Sequence, residues 1–175
     1  MSRKGDESDT DSDDEDMKSI VTKGNIVFIE QKEIQNILQK RGRDTQPEIM
    51  KNARNGLLGI IIGFNKKDDN VEIEIINSFN HTIKLNPTQF TVGDKKNIVV
   101  IRVESVQEHK EESDLFRRAA ALQENLLGRV VSEEKGMAWI NIINHNEIYH
   151  FKRRDYSTLE ELEKMEKLEK MDLKF

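Results

Sequence analysis

The chain has no cysteine, which excludes disulfides, thiolate metal sites and cysteine nucleophiles and fits a reducing compartment. No apolar stretch approaches the roughly 20 residues of a transmembrane helix, so no membrane is expected among its partners. Residues 1–23 are charged where the apolar core of a secretion signal would sit. The expected location is therefore intracellular, in cytoplasm or nucleus. Asn80-His81-Thr82 matches a glycosylation sequon that an intracellular chain would not use. A GxSxG elbow, a P-loop and a dinucleotide fingerprint are all missing. The four histidines, His81, His109, His145 and His150, form no HExxH or other helical metal spacing. No acid, base and nucleophile can be assembled, so the expectation is a non-enzyme with no catalytic residue, no metal and no cofactor.

An excess of positive charge is also missing. Acids number 33 and bases 28, for a formal net charge of −5. Eight of the 33 acids and four of the 28 bases fall in residues 1–23, which leaves 25 acids against 24 bases in the body. A neutral body argues against strong nonspecific nucleic-acid binding through net charge, while local basic patches stay open. Residues 1–18 are rich in Ser, Asp and Glu, and Met1 and Met17 are too few apolar groups to offset ordering entropy. They are expected to be disordered. Ser8, Thr10 and Ser12 each precede an acid by three residues, a pattern resembling acceptor sites of acidophilic kinases. This tail reads either as a solubilising segment or as a regulated, partner-binding one.

What is present is β-rich. Asn25 to Ile29 reads as a strand and Gln31 to Lys40 as a helix with Ile34, Ile37 and Leu38 on one face. A second helix is predicted from Thr45-Pro47 to about Asn55, closed by Gly56. Leu57–Phe64, the alternating Val71–Ile75, His81–Leu85 and Ile98–Val103 read as strands. Ser113–Asn125 reads as a helix, followed by strands at Leu126–Val131, Met137–Ile143 and Ile148–Phe151. From Ser157 a capping box with Glu160 predicts a helix carrying Leu159, Leu162, Met165, Leu168 and Met171. That period of three winds around a helix instead of staying on one face.

Three blocks recur in the same order. Asn25–Ile29 returns as Asn97–Ile101, Leu57–Ile62 as Leu126–Val131, and Ile73–Asn77 as Ile140–Asn144, at offsets of 72, 69 and 67 residues. A duplicated module follows. The predicted fold is β-rich α+β, with two tandem antiparallel β-barrel-like modules, each preceded by a helix. The expected divisions are an acidic tail at 1–23, a first module at 24–96, a second at 97–156 and a charged C-terminal helix at 157–175.

Gly59-Ile60-Ile61-Ile62-Gly63-Phe64-Asn65 with Asn70 and Val71 resembles the first motif of the Sm-like small β-barrel family. Lys96-Asn97-Ile98-Val99-Val100-Ile101 resembles its second, with Lys95-Lys96 where that family has Arg-Gly. Gly128 to Ser132, Tyr149, Phe151 and Ser157-Thr158-Leu159 share the outline. SH3-like barrels of the tudor or KOW type present nearly the same pattern. The resemblance implies small bent antiparallel sheets and a role in RNA binding or ring assembly.

Three features are candidates for function. Trp139 aligns with Glu72 on the wet face of its strand, where it would stack a base, anchor a protein partner, or pack on the other module or the terminal helix. Lys152-Arg153-Arg154, beside Tyr149 and Phe151, reads as a single-strand nucleic-acid surface or as scattered surface charge. Leu162, Met165 and Leu168 read as a partner-binding ridge or as a docked face. The expected function is a non-enzymatic adaptor or assembly subunit of a larger complex, a ribonucleoprotein or nucleic-acid machine, with protein partners. The alternative is a protein binding single-stranded RNA or DNA directly through Lys152, Arg153, Arg154, Tyr149 and Trp139.

Overall fold

A computed structural model describes residues 22–164. The acidic tail as far as residue 21, Met165, Leu168 and Met171 lie outside the described residues. The chain divides into two compact units, Met1–Asp94 and Lys95–Phe175. The architecture is β-rich α+β, with one five-stranded antiparallel sheet in each unit.

The first unit opens with β1 (Ile26–Ile29), in which Ile26, Val27 and Ile29 are buried. Helix α1 (Gln31–Arg41) follows, burying Ile34, Ile37 and Leu38. Next is a single turn, α2 (Glu48–Lys51), seated behind Pro47. The predicted helix to Asn55 stops there because Asn52, Asn55 and Gly56 are poor helix formers. Gly56, at φ +91°, must be glycine: a Cβ would lie 2.6 Å from the Ile29 carbonyl oxygen and from the Phe28 ring. The long strand β2 (Leu57–Asn65) then pairs with both β1 and β3 (Asn70–Ile75). Strand β4 (Thr82–Leu85) extends the meander. A 3₁₀ turn, Pro87–Gln89, sends β5 (Thr91–Val92) back onto β1. The strand order is β4-β3-β2-β1-β5.

The second unit has the same plan. Strand β6 (Ile98–Ile101) leads into α3 (Val103–Glu108) and α4 (Asp114–Leu122), the latter capped by the Ser113 hydroxyl, which accepts from the Phe116 N–H. Strands β7 (Leu126–Glu134), β8 (Met137–Ile142) and β9 (Glu147–Lys152) form the meander. A 3₁₀ turn, Arg153–Asp155, returns β10 (Tyr156–Thr158) to β6. The order is β10-β6-β7-β8-β9.

Three expectations need correction. The sheets are open, with linear strand orders and no closure into barrels. Strands β5 and β10 have two and three residues, too short to bridge to the opposite edge. The helices lie between the first and second strands of each unit instead of preceding it. Ser157 and Thr158 belong to β10, paired with Val100 and Val99, so the last helix starts at residue 159. Its cap is the Thr158 hydroxyl, which accepts from the Glu161 N–H at 3.0 Å.

One device recurs in both sheets. Gly59 faces Ile75, and Gly128 faces Ile142. A Cβ there would meet the neighbouring isoleucine at 2.4 Å in the first unit (Ile73 Cγ2) and 2.2 Å in the second (Ile140 Cγ2). Three residues on, Ile62 and Val131 are each skipped by the ladder, a β-bulge that bends the strand. Gly59→Ala and Gly128→Ala should each destabilise by about 1–3 kcal/mol through overpacking. Urea melts of the two variants check this, and two unchanged midpoints would show that the strands separate freely.

Burial, and secondarily the charge of Arg41, holds His81 below the usual histidine range, and its Nε2 is buried with no hydrogen-bond partner among the described residues. Protonation is thus disfavoured in the folded state relative to the unfolded chain. The stability this confers is complete above the unfolded value of about 6.5 and is lost as the pH falls below it. Thermal melts across that range should show a shallower acid decline for His81→Gln than for the native chain, whereas parallel declines would place the effect elsewhere.

Candidate binding face

The alternation of β7, β8 and β9 sorts their side chains onto two faces. Gly128, Ile140, Ile142 and Phe151 point to the core, and Ile140, Ile142 and Phe151 are fully buried. The other face is laid out by register in three rows: Arg129, Asn141 and Ile148; Ser132, Trp139 and His150; Glu134, Met137 and Lys152. The bulge at Val131 sets Ser132 opposite Trp139.

Trp139 is at the centre of this face and is 42% exposed, as its alignment with Glu72 implies. Its indole stacks on the His150 imidazole, with centroids 4.5 Å apart and planes 18° from parallel. Val131 and Ile148, 58% and 51% exposed, are large apolar groups on the same three strands. The Arg129 guanidinium donates to the Lys96 carbonyl at 2.6 Å. The Asn141 side-chain Oδ1 is buried with no hydrogen-bond partner among the described residues.

Tyr149 is not on this face. It pairs with Ile140 and turns inward, where its ring meets Phe116 edge-on with centroids 4.9 Å apart. Its hydroxyl donates to the Glu147 carboxylate. Burial, followed by that hydrogen bond, raises its pKa above the ordinary tyrosine value. Phe151, two residues on, packs against His109 at 4.7 Å and Phe116 at 6.1 Å. Tyr149 and Trp139 therefore cannot share one ligand surface.

The basic cluster is split as well. Asp155 is buried at the end of the 3₁₀ turn, where its carboxylate accepts from the Lys152 N–H at 2.9 Å and from the Ser105 hydroxyl at 3.1 Å. That clamp fixes the direction of each side chain in the turn. Arg153 is exposed too, but its guanidinium is engaged by the chain's own groups. It donates to the Tyr156 carbonyl at 2.9 Å, lies 4.9 Å over the Tyr156 ring and pairs with Glu161. Lys152 and Arg154 are exposed and line a cavity of about 270 Å³ with Glu108, His109, Met137, His150 and Asp155. Leu162 is half-buried in the first turns of the last helix, and Met165 and Leu168 lie outside the described residues.

The structure thus brings together Trp139, Lys152 and Arg154, and adds His150, Ile148 and Met137, which the sequence reading did not single out. Counting back from Lys152 along an alternating strand would have found His150 and Ile148. Among the described residues, no group of three His, Asp or Glu is placed to hold a metal ion.

Trp139 is the only tryptophan in the chain, so intrinsic indole emission reports on this face alone. His150→Ala should remove the stack, shift the emission to the red and raise collisional quenching by iodide. Unchanged spectra would mean that the stack does not form in solution. Compared with known protein families and with curated proteins, the chain matches none.

Proposed function

We propose that the chain is a non-enzymatic adaptor, and that its second unit binds a protein partner through the Trp139–His150 face. One observation carries this reading, and the chain supplies its own control. In the first unit the positions matching Trp139 and His150 by register are Glu72 and Lys84, on the same sheet face and beside the same bulge. A charged pair serves there, so this strand layout does not require aromatic rings. Holding a tryptophan on an exposed face, flanked by Val131 and Ile148, is costly for solubility and is the pattern of an interface anchor.

Electrostatics favours protein over nucleic acid. Of the five residues expected to bind nucleic acid, Tyr149 is turned inward and Arg153 is occupied by Glu161 and Tyr156. Glu134 sits in the same row as Lys152, and Glu108 lines the cavity beside it. Direct binding of a single strand is the second reading. It is favoured by Lys152 and Arg154 lying near the Trp139 stack, since bases stack on exposed aromatics in sequence-tolerant binding.

Trp139→Glu installs the residue that the first unit tolerates, so it should fold with a melting temperature near the native one. Quantitative affinity capture from nuclease-treated extract should recover proteins with the native chain that the variant loses. A fluorescent single-stranded RNA should show no steeply salt-dependent binding to either chain. Identical captured sets would overturn the adaptor reading. Tight RNA binding that weakens with salt and fails in Trp139→Glu would replace it with the second.

A further inference from the structure

We propose that β9 is a docking edge, and that the partner enters as an extended segment that adds a sixth strand beside it. This deepens the adaptor reading and rests on it. The pairing geometry comes from two hydrogen bonds. The Arg153 N–H donates to the Gly136 carbonyl across the ladder at 2.9 Å, while the Lys152 N–H turns the other way, to Asp155. In an antiparallel pair these directions alternate residue by residue. Phe151, Tyr149 and Glu147 therefore bond to β8, and His150 and Ile148 aim their N–H and C=O groups outward. No described residue takes those four groups. They are an unfilled half-ladder two residues long, ended by Asp155, which claims the next donor.

Edges of this kind are normally guarded by shortness, proline, lysine or a bulge. The other three edges are guarded: β4 has four residues with Lys84 exposed among them, β5 has two, and β10 has three. Strand β9 has six residues, no proline and an unbroken register with β8; its exposed lysine, Lys152, sits only at the last position, and its Ile148 is half exposed. Side chains of an added strand would alternate, and those on the outer face would lie beside Ile148, His150 and Lys152. The occupant that fits is an extended protein segment with a β-branched or aromatic residue beside Ile148 and His150. A carboxylate would follow at the Lys152 and Arg154 end, where the exposed cations supply the complementary charge.

The test uses the full chain as bait for a displayed library of random linear peptides. Selected peptides should carry an apolar residue followed or preceded by an acid. Their binding should protect the Ile148 and His150 amides from hydrogen exchange. Ile148→Pro removes one outward donor at a position where an edge strand tolerates proline. It should weaken binding by about tenfold, the scale of losing one or two backbone hydrogen bonds. Peptides that bind the native chain without protecting those amides overturn the proposal, whether or not Ile148→Pro folds. Peptides lost in Trp139→Glu but kept in Ile148→Pro would sink strand addition and leave the adaptor reading intact. Recovery of no peptide would sink strand addition, with the capture experiment alone deciding the adaptor reading. A chain already self-associated, with both amides protected before any peptide is added, would assign the edge to a second copy and overturn the proposal.

Discussion

The close approach of the central strand to its neighbour, made at one glycine in each sheet, governs what the rest of the structure can do. At Gly59 and Gly128 the isoleucine of the next strand fills the space a Cβ would need. This contact seats the long strand, and the bulge that follows bends it without breaking its pairing. The bulge also resets the alternation. Beyond it, Gly63 and Ser132 stand opposite the outward-facing Glu72 and Trp139. The position of the tryptophan on the outer face thus follows from backbone geometry that both units share. Its chemistry does not follow from that geometry.

A second constraint acts at the chain reversal that returns the last strand to the first. In the first unit the Gln89 side chain accepts from the Asn86 N–H at 2.8 Å and donates to the Glu33 carboxylate at 3.3 Å. In the second unit Asp155 does the equivalent work, between the Lys152 N–H and the Ser105 hydroxyl. Glu33 and Ser105 are separated by the same 72-residue offset as the first strands of the two units. The exchange of a neutral amide for a carboxylate leaves an acid buried beneath Lys152 and Arg154. That acid fixes the backbone of the turn and lowers the net positive charge its surface shows. A run of three bases is therefore a weaker electrostatic feature than it looks in the sequence.

Much of the fold was legible because period-2 alternation is strong in Val71–Ile75 and Met137–Ile142, and because the two copies could be checked against each other. The alignment of Trp139 with Glu72 was readable for the same reason. What escaped was set by tertiary contacts. Strands β5 and β10 are too short to carry a pattern, and exist because β1 and β6 offer an open edge. Helix α3 has little apolar periodicity to announce it, with Val106 fully buried and Ser105 bonded to Asp155. The site was misjudged where sequence adjacency stood in for space. Tyr149 lies near Lys152 in the chain, yet strand alternation turns it to the opposite face, onto Phe116. His150 was passed over because it was weighed as a metal ligand, whereas its cross-strand neighbour gives it its role.

The two units carry the argument furthest when each serves as the control for the other. Both have a glycine within the long strand, a bulge three residues later and a 3₁₀ turn before the last strand, and these features are needed to build the sheet. They differ where the sheet meets solvent. Glu72 and Lys84 form a wet, charged face over a short edge strand that carries an exposed lysine. Trp139 and His150 form an aromatic face beside a longer edge strand with two unclaimed backbone pairs. Exposed apolar surface and an open sheet edge are each a liability for a protein that has no use for them. Their occurrence on adjoining strands of one unit, and their replacement by charge in the other, is the expected outcome when one copy keeps the fold and the other holds a partner.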